Sequence, residues 1–477
     1  MLDISPSAAI PATRRLPRAS ILAEVPAVVG LAFPVVAGLI GSTVLGVIDS
    51  FMLGPLGEVE LAAASITQSC LVIFYAGLYG LVGSIGVFVA QGYGAGDQWR
   101  ASRVLRHGLI IGLAGGCLGS LAMAGLLFVL PYTGQPPEVL AILPPYWIAM
   151  SALLVPFTLT MVIKVFLDSI GRPWTGAILT LVPIVINVPL SWLLIYGNHG
   201  FPKLGLLGAG FASMLAFLGG FISMILYLVS APSMAPYRDA VKLRAADFSE
   251  LLREGYPMAI QYLAEGSAVA IAGILIGRLG ATALAANQIV FSLGVLIYMA
   301  PLGMSGAVSI RIAQAYGGGA TRRVRAIGLA GILVVTLWMS AFTAIMVMWG
   351  EPISRVFVSD NAVVAAATAM FVAVGVMQIF DGLQSVGLGA LRGMLDNRWP
   401  TIVSLVSYWL IALPLSIYLG FVRGYGGPGI WAGFGMGLAV AGISLFCRFL
   451  SQTKKLAMSA NLAKADANGF YYHKWPF

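Results

Sequence analysis

Twelve runs of roughly 20 to 30 mostly apolar residues, each broken off by glycine, proline or charge, dominate this sequence. They cover 28–53, 61–91, 104–130, 143–167, 175–197, 207–230, 251–277, 282–313, 326–349, 363–391, 401–421 and 428–450. A helix needs about 20 such residues to cross the hydrocarbon core of a bilayer, and only helices and closed barrels satisfy their backbone polar groups there. No run alternates apolar and polar residues as a barrel strand does. The expected fold is therefore all-α, a polytopic membrane protein with twelve transmembrane helices.

Composition closes off the other classes. The chain is 59% hydrophobic and 9% charged, with a mean hydropathy of +0.93, whereas soluble domains carry about 25% charged residues. The net charge of +9 does not imply a nucleic-acid partner, because the basic residues are scattered through short loops instead of sharing one solvent face. Cys70, Cys117 and Cys447 lie in or at the ends of apolar runs without paired or metal-ligand spacing, so neither a disulfide framework nor a zinc site is expected. Arg14, Arg15 and Arg18 precede the first run with no small-residue cleavage site between, so 1–27 is expected to be a cytoplasmic tail.

Basic residues orient the chain. With both tails inside, 23 of the 27 Lys and Arg fall on the cytoplasmic side, leaving only Lys203, Arg278, Arg355 and Arg423 outside. Miscounting one early helix would swap every later loop and destroy that asymmetry, so the positive-inside rule supports twelve spans with both termini cytoplasmic. Multi-pass insertion in the inner (plasma) membrane is expected.

The chain also repeats itself. An offset of 223 residues superimposes Pro34 on Pro257, Gly54 on Gly277, Leu56-Gly57 on Leu279-Gly280, Leu61-Ala62-Ala63 on Leu284-Ala285-Ala286, and AQGYGAG at 90–96 on AQAYGGG at 313–319. A looser match sets Leu167-Asp168 against Leu391-Arg392. Six spans thus recur as six spans: a first lobe at 28–230, a cytoplasmic inter-lobe loop at 231–250, a second lobe at 251–450, and a cytoplasmic tail at 451–477 that ends in Tyr471, Tyr472, Trp475 and Phe477. An even number of spans gives the copies the same orientation, the parallel-repeat plan of alternating-access transporters. The glycine-rich stretches at 92–96 and 317–319 lack the Lys-Ser/Thr of a phosphate loop and are expected to be tight helix connections.

Three acids lie deep within apolar runs: Asp49, Glu265 and Asp381. An acid near the bilayer centre costs about 2.5–3.5 kcal/mol on insertion scales, and no Lys or Arg stands within a helical turn of any of them. Such a group either takes up a proton or holds a cation with help from other oxygens. Gln261 shares a face with Glu265 one turn away, and Gln378 and Gln384 flank Asp381 in a polar strip expected to face a wet cavity. Further polar candidates are Asn187 with Ser191, and Asn287 with Gln288, which either bond between helices or line the cavity. Pro34 and Pro257 remove backbone bonds from matching helices and can bend them. Aromatic and Met residues such as Phe74, Tyr75, Tyr79, Phe291, Tyr298 and Met299 could stack on flat apolar cations.

The run from Pro34 to Ile66, the AQGYGAGD loop and LRGMLDNRWP from Leu391 resemble the multidrug and toxic compound extrusion (MATE) family, over essentially residues 25 to 450. The resemblance implies a V-shaped pair of six-helix lobes that exports organic, often cationic compounds in exchange for Na+ or H+. It also implies that Glu265 and Asp381 are the coupling-ion carboxylates of the NorM-type branch, with Na+ possible there, that Asp49 contributes to coupling, and that Asn187 lines the first-lobe cavity. Met377 departs from the pattern, since a Tyr often precedes the Asp by four. The expected partners are small organic cations and the bilayer, with a monomer sufficing and no resident cofactor. The alternative is a lipid-linked precursor flippase, which would line its cavity with bases for pyrophosphate. An enzyme is not expected, because His107, His199 and His473 sit at span ends or in loops without a nucleophile or metal-site pattern.

Overall fold

The computed structural model describes residues 20–238 and 243–467, so Arg14, Arg15, Arg18, Lys242 and the aromatic run from Tyr471 lie outside the described residues. The first lobe comprises α1 (Ile21–Leu53), α2 (Glu58–Gly94), α3 (Gln98–Gly125), α4 (Pro137–Ser169), α5 (Pro173–Tyr196) and α6 (Leu206–Ser230). The second comprises α7 (Ala245–Gly277), α8 (Ala281–Gly317), α9 (Thr321–Phe357), α10 (Asn361–Gly393), α11 (Arg398–Val422) and α12 (Gly426–Ala467). Each is long and apolar enough to cross a membrane.

The helices outrun the apolar runs that announce them. Ser20 caps α1 by accepting from the Ala23 amide at 3.2 Å, which draws residues 21–27 of the expected tail into helix. α12 likewise continues to Ala467, so 451–467 are helical, and α7 claims the end of the 231–250 loop. Hydropathy reports bilayer thickness, while a helix goes on until its caps stop it. Asp97 starts α3 by accepting from the Arg100 amide at 2.8 Å, and Asp360 does the same for α10 from Ala362 at 2.9 Å.

Two spans are interrupted. α4 breaks between Ala152 and Leu154, where Pro156 has no N–H to return to the Ala152 carbonyl. α11 carries π-helical turns at Val406–Ala412 and Tyr418–Val422, on either side of Pro414.

The lobes join through α1 and α2, which pack on α7, α8 and α9. At their seam, Val87 and Ala90 of α2 meet Ile310 and Ala313 of α8 in a small buried cluster. These are equivalent positions under the 223-residue offset, so an approximate twofold axis runs through the contact. The two glycine-rich copies touch one another there: a Cβ on Gly94 would overlap the Gln314 carbonyl, and one on Gly317 would overlap the Gln91 carbonyl. The α2–α3 and α8–α9 turns share an end of the molecule with the start of α1, the end of α12 and the inter-lobe connection. We call that end the tail side. Glu24, at the start of α1, fastens it by pairing with Arg323 at 2.7 Å and Arg311 at 2.9 Å of the opposite lobe.

Candidate ion and substrate site

Glu265 stands midway along α7 and Asp381 midway along α10, both partly accessible. Their carboxyls interact electrostatically with each other, and both act on the phenols of Tyr298 (α8) and Tyr408 (α11). The Tyr298 hydroxyl donates to Glu265 Oε1 at 3.4 Å. Phenol groups, absent from the α10 face where Met377 stands, are thus supplied by neighbouring helices.

The glutamines beside Asp381 are more deeply buried than the acid. Gln378 donates to the Gly294 carbonyl at 3.0 Å and Gln384 to the Tyr408 hydroxyl at 2.6 Å, and each leaves its Oε1 buried without a partner. The expected strip of three cavity-facing groups therefore resolves into one partly open acid held between two inter-helix glutamines. Among the described residues, no Lys, Arg or His nitrogen lies within 4.0 Å of Glu265, Asp381 or Asp49. Two carboxylates and two phenols within one another's field offer oxygen donors of the kind that suits a hard cation or a proton.

The first lobe builds a different cluster at the far end of α1. Ser213 (α6) donates to Asp49 Oδ2 at 3.1 Å, Asn187 (α5) donates to Ser213 Oγ at 3.0 Å, and Ser191 donates to Asn187 Oδ1 at 3.4 Å. Asn187 and Ser191 are fully buried, and Asp49 Oδ1 is left without a partner. Tyr75 and Tyr146 lie within the field of Asp49, and Tyr75 stacks on Phe157 at 4.2 Å. Asn287 and Gln288 join neither cluster. Asn287 accepts from Trp431 Nε1 at 2.9 Å, while Gln288 is exposed and pairs with Ser292 on its own helix.

Several polar groups escape sequence reasoning. Lys164 and Asp168 of α4, at the end of the apolar run 143–167, are buried and paired at 2.7 Å. Their Lys-x-x-x-Asp spacing was visible, and its i,i+4 geometry is the signal that could have revealed them. Arg392 is equally buried, near the tail side of α10, and reaches Gln261 at 2.7 Å and the Tyr262 hydroxyl at 2.9 Å. Two bases therefore lie buried near the tail-side ends of their spans, one neutralised by Asp168 and the other engaged by α7. Ser213 carried no signal, because one serine among apolar residues is common in membrane helices. An apolar groove of about 800 Å³ between α10 and α12 holds neither acid, and its walls include the exposed Val372, Val376 and Met436.

The MatE family model matches residues 34–193 and 257–418, two segments whose starts differ by the repeat offset. A "Probable multidrug resistance protein NorM" of Rhizobium meliloti (strain 1021) is 31% identical over 411 residues, covering 84% of this chain and 88% of the relative. Its namesake in Agrobacterium fabrum is 32% identical over 413 residues, with the same coverage. Among solved structures, a MATE in the bent conformation superimposes with a TM-score of 0.84 at 18% identity, covering 91% of this chain and 96% of that one. An outward-facing multidrug resistance MATE transporter of the MOP superfamily gives 0.82 at 18% identity, covering 93% and 99%.

Proposed function

The chain belongs to the MatE family, and from that premise we propose that it is a secondary antiporter that expels organic, often cationic compounds while Na+ or H+ enters. The observation that carries this reading is the pair Glu265 and Asp381: two acids in mid-span, within each other's field and without a basic partner inside 4.0 Å. Like charges in one another's field disfavour double ionisation in the absence of a cation. A visiting ion relieves that conflict, and its departure restores it, which links occupancy to the position of the lobes. One charge moving through 100 mV supplies about 2.3 kcal/mol, enough to drive a compound uphill without ATP.

In this reading both tails face the cytoplasm, the protein sits in the inner membrane as a monomer, and the coupling ion is cargo with no resident cofactor. Asp49, with Ser213, Asn187 and Ser191, forms a second polar station in the first lobe, available to the coupling ion or to the amine of a substrate. A flippase is disfavoured because Lys164 and Arg392 are tied up by neighbours and offer no basic cavity to a pyrophosphate. The test is dye efflux from everted vesicles driven separately by a sodium gradient and by a pH gradient. Glu265→Gln and Asp381→Asn are expected to abolish ion-driven efflux at unchanged protein level; wild-type efflux in both variants rules the reading out.

A further inference from the structure

Arg392 is the penultimate residue of α10, 6% exposed, and has no carboxylate within 4.0 Å. Its Nη2 donates to Gln261 Oε1 at 2.7 Å, its Nη1 donates to the Tyr262 hydroxyl at 2.9 Å, and its Nε is buried without a partner. A guanidinium is always charged, and burying one without a counter-ion is costly. The acid whose field it shares is Glu265, one turn beyond Gln261 on the same helix. Gln261 stands between them: its carbonyl is taken by Arg392, and its Nε2 is buried with no partner.

The repeat gives an independent reason to look for a role beyond packing. At the position equivalent to Arg392, the first lobe has Asp168, whose charge Lys164 cancels within the same helix. The second lobe puts a cation at that position and provides no ion-pair partner. The groups that face Glu265 are Asp381 and Arg392 from α10, Tyr298 from α8, Tyr408 from α11 and Gln261 on its own helix, with Tyr262 beside Gln261 and Tyr79 of α2 against the Tyr262 ring. Their formal charges with both acids ionised are two negative and one positive.

We propose that Arg392 is a positioning residue that serves as a built-in counter-cation for the acid pair, its guanidinium held by Gln261 so that its field falls on Glu265 one turn away. It brings the cluster to a net charge of minus one, matching a single monovalent cation. It also keeps that cation loosely enough held to be released. This rests on the assignment of Glu265 and Asp381 to ion coupling.

The test uses the full-length protein in liposomes, with efflux of a fluorescent cationic dye titrated against Na+ and, separately, against pH; the ion that drives the wild type is the probe. Arg392→Gln keeps a hydrogen-bonding side chain and removes the charge. The cation concentration at half-maximal efflux is expected to fall on the order of tenfold, as loss of a nearby charge in a partly screened site implies, and the maximal rate to drop because release slows. Arg392→Lys retains a half-saturating concentration within about twofold of wild type. Gln261→Glu, which quenches the arginine without removing it, moves the half-saturating concentration in the same direction and keeps the question answerable if Arg392→Gln does not fold. A structural role lowers the maximal rate or protein yield and leaves half-saturation unchanged, and that result in a folded variant overturns the proposal. If Glu265→Gln keeps ion-driven efflux in the same assay, the ion-site reading itself fails; if it is inactive while Arg392→Gln is unshifted, only the counter-cation is lost.

Discussion

The two lobes share a scaffold and solve the problem of a buried acid in opposite ways. In the first, Asp49 meets neutral donors: a serine hydroxyl at 3.1 Å, backed by an asparagine and a second serine. In the second, Glu265 and Asp381 face one another with phenols and glutamines around them, and the one nearby cation stands off behind Gln261. Asp49 is a lone acid with a hydroxyl donor on one of its oxygens, whereas Glu265 and Asp381 each lie in the field of a second acid. The acids do not occupy equivalent places in the repeat: the 223-residue offset sets Asp49 against Ala272 and Glu265 against Ser42.

The sharpest way to break this contrast is to remove the acids singly. Glu265→Gln or Asp381→Asn is expected to reduce ion-driven dye efflux to that of vesicles without the protein. Asp49→Asn keeps the hydrogen-bonding shape of its station and is expected to lower efflux by roughly tenfold, within the usual range of coupling between sites. Equal losses from all three variants would erase the distinction between lobes. Stability offers a separate handle on the first lobe: Lys164→Met leaves Asp168 buried and unpaired, at an expected cost of about 3–5 kcal/mol. A lowered thermal midpoint in detergent, largely restored by adding Asp168→Leu, checks it. The smallest effect is expected from Ser213→Ala, which removes one donor from Asp49 and about 1 kcal/mol, roughly fivefold in apparent affinity at that station; titration of efflux against dye concentration measures it.

Much of this architecture was legible in the chain, because a bilayer turns hydropathy into geometry: twelve apolar runs became twelve spans, and the offset from Pro34 to Pro257 reappeared as the start of both matched segments. The acids were legible for the same reason, since an unpaired charge in an apolar run is conspicuous. What stayed hidden depends on contacts between helices. Nothing in the order of residues announces that Ser213 would join Asn187 to Asp49 across three helices, or that Arg392 would turn inward to Gln261 instead of toward the loop beside it. Hydropathy also leaves depth undefined near helix ends, so the run 143–167 contains Lys164 without showing that it is buried, at 6% exposed, against Asp168.

The seam where Gly94 lies against the Gln314 carbonyl and Gly317 against that of Gln91 has a bearing on leakage. At these two glycines main chain rests on main chain, beside the packed side chains of Val87 and Ile310. A barrier of that kind shuts fully or fails at once, since a gap the width of one water molecule already hydrates the exposed carbonyls. In the proposed antiporter, such all-or-none behaviour would keep the two doors from standing ajar together.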